Sequence, residues 1–598
     1  MKRKINHLLA FLKKPQNLIL LFFVVTLGYL VLFPLVCIVK DTFVVHASEV
    51  MRVKGSKIGD FTTYHWVKVF ADKNSATIFY TPLLNTMKIA LGACFVAISF
   101  GGSFAWLVTR TDLRWKGILT KLFMFPYIMP SWTLALAWMN FFKNSTVGGA
   151  QGIFTALTGI VTPNWFAYGG FPITMVIGLH YAPFAYILIG GILRNMDANL
   201  EEAAIILKTK RSRMFMEITI PMVMPAVLST FILVFSSAMS AFAVPQFLGL
   251  PVRYYVLTTQ MFRNLNGTNP GYGYIIALVM ILIALIIMFV NQAVIGKRKS
   301  YTTVTGKSAN ISQFKLKKFR TPISSLFLVL VLCVSVIPMI SFLLQSMIKI
   351  QGNYSPSNFT LDFWIGAAAT SDKINDKAGI LINADVWKGL FNSLKLSVVA
   401  ALGAGTFGFL AGYAIVKQRG TWLSRFVENL TFIPYLIPSM AFSVIYLSMF
   451  AVRHGPIPAL YGSFAILAII GTVKYLPMAS RSGVNSMLQL SHEIEEAAMI
   501  VGVPWWKRMT QIIVPIQKST VISGYLLPFI SSMRELSLYV LLVTPANKVL
   551  TTILFQYNEK GWDQYANAIN FVIIVFVLVI NFGIEKLTGA SIEKGVGG

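Results

Sequence analysis

The sequence predicts an all-α integral membrane protein of about twelve transmembrane helices, arranged as two parallel six-helix repeats. Three observations carry the prediction. The chain has 598 residues, 56% of them hydrophobic and 12% charged, with a mean hydropathy of +0.68, a balance that a water-soluble protein of this length could hardly keep in solution. Apolar runs of about 20 residues, the length that crosses a hydrocarbon core, recur along it. Segments of the first half also reappear, in order, some 300 residues later.

The apolar runs lie near 18 to 39, 83 to 108, 117 to 141, 171 to 193, 222 to 245 and 273 to 294, then near 323 to 345, 392 to 416, 427 to 450, 463 to 480, 519 to 543 and 566 to 584. The first follows Lys13 and Lys14, is too long for a signal-peptide core and lacks a small-residue cleavage site. It reads as a retained first span with the N-terminus in the cytoplasm. Six spans per half return the second half to the starting side, so the repeats run parallel about an axis along the membrane normal, and the C-terminus is cytoplasmic too.

The formal charge of +29 invites a nucleic-acid reading, but its distribution argues against one. On the twelve-span layout, Lys and Arg fall about twice as often on the N-terminal side as on the opposite side, which is the positive-inside pattern of membrane insertion. Cys37, Cys94 and Cys333 all lie in apolar spans, with no spacing of a metal site or disulfide framework.

The repeat is legible residue by residue. Phe125-Pro126-Tyr127 and Pro130-Ser131 recur as Ile433-Pro434-Tyr435 and Pro438-Ser439. Asn85-Thr86-Met87-Lys88 recurs as Asn392-Ser393-Leu394-Lys395, Phe61-Thr62 with Trp66 as Phe359-Thr360 with Trp364, and Val256-Leu257-Thr258-Thr259 as Val549-Leu550-Thr551-Thr552. The shift falls from 307 or 308 to 293 or 294 between spans three and four, so the first half carries extra residues there. The organisation expected is a first half over 1–294, a polar and basic cytoplasmic linker over 295–320, and a second half over 321–598. Gly306-Lys307-Ser308 in the linker resembles the end of a phosphate loop, but position 301 is Tyr where that motif needs Gly, and no strand precedes it.

Between spans four and five the first half reads Glu202-Ala203-Ala204, then Lys208, Ile218 and Pro221; the second reads Glu496-Ala497-Ala498, then Gly502, Ile512 and Pro515. Every pair is separated by 294 positions, and both loops, 197–221 and 491–515, fall on the cytoplasmic side. Asn199 with Glu202, and Ser491 with Glu493, Glu495 and Glu496, mark helix starts in which acids meet the positive end of the dipole. Gly502 followed by Pro504 is a helix stop, and Pro221 and Pro515 suit the first turn of the next span. Each loop is therefore expected to carry a short helix that moves as a rigid body. One such copy is what any amphipathic loop rich in Glu and Ala can show; two matched copies point to a docking surface.

In these loops the chain resembles the permeases of type I ATP-binding-cassette importers, whose coupling loop reads Glu-Ala-Ala, three residues, Gly, nine residues, Ile, one residue, Leu, Pro. The second copy has Val514 in the Leu place; the first has Ile220 there and Lys208 in the Gly place. The resemblance covers nearly all of the chain and implies a type I importer transmembrane fold in a bacterial inner membrane. It implies two copies of an ATPase subunit that bind ATP and magnesium, no cofactor or enzymatic activity in this chain, and an external binding protein that delivers cargo. With Met533-Arg534-Glu535-Leu536 in span eleven, the fused chain looks most like ferric-iron permeases and their relatives for phosphonates, sugar phosphates, thiamine and polyamines.

Ionisable groups within spans are costly, and so are functional candidates: Lys88, Lys395, His180, Lys474, Arg534 and Glu535. Lys88 and Lys395 lie near span ends where they reach the interface. His180 and Lys474 are repeat equivalents, each followed by Tyr, one residue and Pro; a path-lining role and a structural hydrogen bond at proline-loosened backbone are both open. Arg534 and Glu535 are expected as helical neighbours about 100° apart, with Lys474 a partner for Glu535; their repeat counterparts are Ser240 and Ala241. Path or gate and structural ion pair are both open here as well.

The excess of cations over acids points to an anionic cargo or anionic complex, whereas the resemblance points to ferric iron, which prefers oxygen ligands. The other class of reading is an ion-coupled secondary transporter, which also uses two parallel six-span repeats but usually needs carboxylates in the membrane, of which Glu535 is the one good candidate. The basic loop end at Lys208, Lys210, Arg211 and Arg213 against Gly502, Pro504, Trp505 and Trp506 predicts that the two coupling sites act unequally.

Overall fold

The computed structural model describes residues 14–47, 49–53, 55–195, 204, 206–296, 314–367, 377–453 and 458–588. Among them, nine helices are long and apolar enough to cross a membrane, and three bent helix pairs raise the number to as many as twelve if each pair is one span. The principal helices of the first half are α1 (Pro15–Asp41), α2 (Tyr64–Phe70), α3 (Ala76–Arg110), the bent pair α4 (Lys116–Ile128) and α5 (Ser131–Phe142), α6 (Gly170–Asn195), α7 (Phe215–Met239), α8 (Ala243–Gly249), α9 (Leu257–Leu265) and α10 (Pro270–Gly296). Those of the second are α11 (Arg320–Ser346), α12 (Ala384–Lys417), the pair α13 (Trp422–Leu436) and α14 (Ser439–Phe450), α15 (Phe464–Gln489), α16 (His492–Ile500), the pair α17 (Trp505–Ile516) and α18 (Lys518–Met533), α19 (Leu550–Glu559) and α20 (Asp563–Thr588).

Spans three and nine are broken, where the apolar runs predicted continuous helices. The chain turns by 97° between α4 and α5 and by 107° between α13 and α14. Both breaks fall just before a proline, Pro130 and Pro438. Proline has no N–H to give the helix ladder and drives the preceding residue out of the α region; Met129 and Ile437 take ψ values of 154° and 126°. Apolar composition carries no information about such a break.

Span eleven is also shorter than expected, since α18 ends at Met533 and the chain from Arg534 to Lys548 runs through turns. Span five stops likewise at Met239. The cause lies in the repeated Thr pair. Thr258 donates its hydroxyl to the Ala241 carbonyl at 2.7 Å, and Thr551 donates to the Glu535 carbonyl at 2.9 Å. Thr259 and Thr552, one residue on, accept the backbone N–H of Val256 and Val549 and start α9 and α19. The Asn motif serves the same place: Asn85 and Asn392 donate to the carbonyls of Tyr255 and Lys548, each at 2.9 Å.

Within each half, span two packs along span four, α3 on α6 and α12 on α15. Without a hydrophobic driving force between helices in lipid, close backbone approach supplies the contact. A Cβ at Gly101 would lie 2.2 Å from the Ala182 carbonyl oxygen, and one at the equivalent Gly408 would lie 2.5 Å from the Ala479 Cβ. The halves interlock through their first spans. α1 lies against α13 and α14 of the second half, and α11 lies against α4 and α5 of the first; Tyr446 donates to the Leu30 carbonyl across that contact at 3.0 Å.

Much of the expected linker, 297–313, lies outside the described residues. Beyond it the chain is fastened, with the Phe314 N–H on the Arg110 carbonyl at 2.7 Å and the Leu316 N–H on Asp112 at 2.8 Å. The Leu316 hydrogen bond, helped by the Arg320 guanidinium, holds the Asp112 carboxyl below the usual carboxylate range.

Candidate functional site

The breaks at Pro130 and Pro438 face one another across a cavity of about 280 Å³ between the halves. Its lining is paired by the repeat: Tyr127 with Tyr435, Ser131 with Ser439, His180 with Lys474, Tyr181 with Tyr475, Ser237 with Ser531, Ser240 with Arg534 and Ala241 with Glu535. Four of the six ionisable residues singled out within spans, His180, Lys474, Arg534 and Glu535, are thus brought together with Ser240, the counterpart of Arg534, whereas Lys88 and Lys395 are not in the lining.

A broken helix leaves its last carbonyls without N–H partners, and its C-terminal end is negative. In the second half, Lys474 answers this directly: its ammonium donates to the Pro434 carbonyl at 2.9 Å and the Ile437 carbonyl at 2.6 Å. In the first half, the end of α4 is closed from across the interface. Arg534 donates to the carbonyls of Tyr127 and, at 3.0 Å, Ile128, with its guanidinium 5.6 Å from the centre of the Tyr127 ring. His180, the counterpart of Lys474, stands against the Pro126 carbonyl, and Pro126 is the counterpart of Pro434. One cation on each half-helix end is therefore kept, although it comes from a different element in each half.

Glu535 and Lys474 line the same cavity and act on one another electrostatically without forming a direct ion pair. The Glu535 carboxylate accepts the Tyr475 hydroxyl and the Leu538 N–H, both at 3.0 Å. Because α18 ends before it, Arg534 and Glu535 are not helical neighbours, and Thr551 fixes the turn between them and the following segment. Ser240 returns its hydroxyl to the Ser236 carbonyl of its own helix at 2.7 Å. The N-terminal ends of α5 and α14, positive by the same dipole, begin at Ser131 and Ser439 on the cavity wall. The paired tyrosines and serines of the lining did not stand out as site residues in the sequence, although the repeated Pro-Tyr and Pro-Ser steps carried the signal.

On the coupling-loop face, α16 starts as expected, with the Ser491 hydroxyl accepting the Glu493 N–H at 3.3 Å. Glu496 and Ala497 are exposed, whereas Glu495 is buried. Its carboxylate meets Lys417 at 2.6 Å, Tyr413 at 2.8 Å and Arg508 at 3.6 Å. This ties the short helix to the end of α12 and to α17, a role the sequence did not single out because Glu495 reads as one more acid in a first turn.

Glu202 and Ala203, with residues 196–201 and 205 of the same segment, lie outside the described residues. Ala204 is buried and Lys208 exposed. Lys208 has a left-handed backbone, φ 54°, like Gly502 at φ 77°, and the Thr209 N–H reaches the Ala204 carbonyl at 3.0 Å just as Val503 reaches Ala498 at 3.0 Å. Lys208 therefore makes the same left-handed turn as Gly502, although it stands where the motif has Gly. Each turn exposes a matched apolar pair, Ile206 with Leu207 and Ile500 with Val501, all 78% exposed or more. Ile218 and Ile512 are half-buried, and Pro221 and Pro515 sit near the entry to spans five and eleven.

A family model described as binding-protein-dependent transport system inner membrane component matches residues 74–300 and 404–588. A ferric transport system permease protein of Actinobacillus pleuropneumoniae is 24% identical over 498 residues, 83% of this chain and 69% of the relative. A putative ferric transport system permease protein of Haemophilus influenzae is 24% identical over 457 residues, 76% of this chain and 69% of the relative. A putative 2-aminoethylphosphonate transport system permease protein of Salmonella paratyphi A is 22% identical over 251 residues, 42% of this chain and 88% of the relative.

Proposed function

The chain belongs to the binding-protein-dependent transport system inner membrane components, and from that premise we propose that it forms the whole translocation path of an ATP-driven importer. It is a multi-pass membrane permease component rather than an enzyme. The observation that carries the proposal is the cavity between the two repeats, walled by equivalent residues of each and by a proline-broken span from each side.

In this reading the two coupling loops dock on two copies of a separate ATPase that binds ATP and magnesium. The exposed pairs Ile206–Leu207 and Ile500–Val501 offer the apolar contact, and the Glu495 cluster transmits the push into α12 and α17. Closure of the ATPases rocks the halves about the cavity, which opens to the opposite, outer face, where a binding protein delivers cargo. The N-terminus and the coupling loops face the cytoplasm.

The cargo is an anionic species or a ferric ion carried with anionic ligands. Two relatives are named for ferric transport and one for an aminophosphonate. In the cavity, Arg534 and Lys474 face a single carboxylate, Glu535, and the positive ends of α5 and α14 add to the same sign. A bare ferric ion prefers carboxylate oxygen, whereas a ferric complex with small anions satisfies both observations. Proteoliposomes holding the chain with its ATPase and binding protein test this directly. Uptake of labelled ferric iron supplied with citrate or phosphate, but not of bare divalent cations, is expected; preferential uptake of free divalent cations would contradict it.

A further inference from the structure

On the face opposite the coupling loops, the loop after α1 brings His46 and Glu49 beside His65 of α2. We propose that these three side chains form a binding site for one divalent transition-metal ion of the zinc class. One ligand atom from each lies within 4.8 Å of the other two. The His65 Nε2 and the Glu49 carboxylate are 3.3 Å apart, close to the ~3.4 Å between neighbouring ligands of a tetrahedral ion with bonds of ~2.1 Å.

The orientation of the groups suits this role. His46 sets its Nε2 against the Asp41 carbonyl at 2.9 Å, which leaves Nδ1 as the nitrogen to take an ion; a backbone carbonyl on the second nitrogen is the usual device that fixes a metal-bound imidazole. Glu49 is held by the His46 N–H and the Gly271 N–H, both at 3.3 Å. His65 Nε2 also lies 3.2 Å from the Val44 carbonyl, and its Nδ1 has no hydrogen-bond partner, so a proton displaced from Nε2 by an ion has a vacant nitrogen to move to.

Comparison between the repeats shows that the fold does not need this cluster. The residue equivalent to His65 is Phe363, 1% exposed and packed edge-on against Tyr565 at 5.1 Å. His65 takes the same place against Tyr272 at 6.2 Å, and is 0% exposed beside a Glu49 that is 1% exposed. Where the second half fills the position with an apolar ring, the first half buries an imidazole and a carboxylate, a choice that costs desolvation. A bound cation offsets that cost and ties the 42–62 loop to α2 and to the start of α10.

The site stands apart from the permease reading and is tested without transport. Purified full-length chain is titrated with Zn²⁺ against a chromophoric chelator, and with Co²⁺ for visible d–d bands, alongside His46→Ala, Glu49→Gln and His65→Phe. The wild type should bind one ion per chain, and each variant should bind at least about tenfold more weakly. His46→Ala removes a half-buried side chain, and His65→Phe installs the other repeat's residue, so both should fold. Failure of the wild type to bind Zn²⁺, or equal binding by His46→Ala and His65→Phe, would overturn the proposal.

Discussion

The guanidinium of Arg534 donates to the Ile128 carbonyl at 3.0 Å, so that a residue of the second repeat closes the end of a helix in the first. Any motion that separates the two halves around the cavity must break that contact or carry α4 along with it.

Arg534→Gln is therefore expected to slow uptake without disturbing assembly. A charge-assisted hydrogen bond is worth ~1.5–3 kcal/mol, which corresponds to a shift of roughly ten- to a hundredfold between conformations. Transport by reconstituted chain, with gel filtration of the assembled complex, checks it; Arg534→Lys should fall between, because the charge stays and the fork is lost. Unchanged uptake in Arg534→Gln would contradict the gate role.

Lys474→Met leaves the Pro434 and Ile437 carbonyls without their donor and should lower stability by ~1–3 kcal/mol in a detergent melt. Lys474→His copies the first half, where His180 stands against Pro126, and should recover at least part of the loss. Equal melting of all three proteins would show that the cap is not stabilising.

Gly502 and Lys208 occupy the same left-handed turn, a conformation that costs a side-chain-bearing residue ~1–2 kcal/mol. Gly502→Ala should accelerate hydrogen exchange at the Val503 amide, whereas Lys208→Gly should protect Thr209. The reverse order would mean that the two loops do not share this turn.

Glu495→Gln removes the partner of Lys417 in a largely buried cluster, and breaking such a pair costs ~3–5 kcal/mol. The expected readout is loosened coupling, with more ATP hydrolysed per cargo moved. The double variant Glu495→Gln with Lys417→Met should lose less than the sum of the two single changes. Full additivity would place Glu495 outside the network.

The all-α membrane fold, with nine to twelve apolar spans among the described residues, was legible because it rests on long apolar runs and on repetition. The sequence missed the breaks in spans three and nine and the early end of span eleven. Those depend on Pro130 and Pro438 and on Thr551 reaching the Glu535 carbonyl, which hydropathy does not record. It chose His180, Lys474, Arg534 and Glu535 from the rule that charge in a membrane is costly, and Ser240 as the repeat counterpart of Arg534, and the cavity gathers all five. It did not see that Lys474 and Arg534 serve helix ends, since the ends themselves were not visible. Glu495 was read only as one of several first-turn acids, and the His46–Glu49–His65 cluster went unremarked, because burial, and not residue type, sets them apart.

The most direct test of the central claim is cargo uptake into liposomes that hold this chain, with and without its ATPase and with or without an ion gradient. The account predicts uptake only when the ATPase, ATP and the binding protein are all present, and none from a gradient alone. Uptake driven by a proton or sodium gradient in the absence of the ATPase would contradict it and make Glu535 the coupling carboxylate of a secondary transporter.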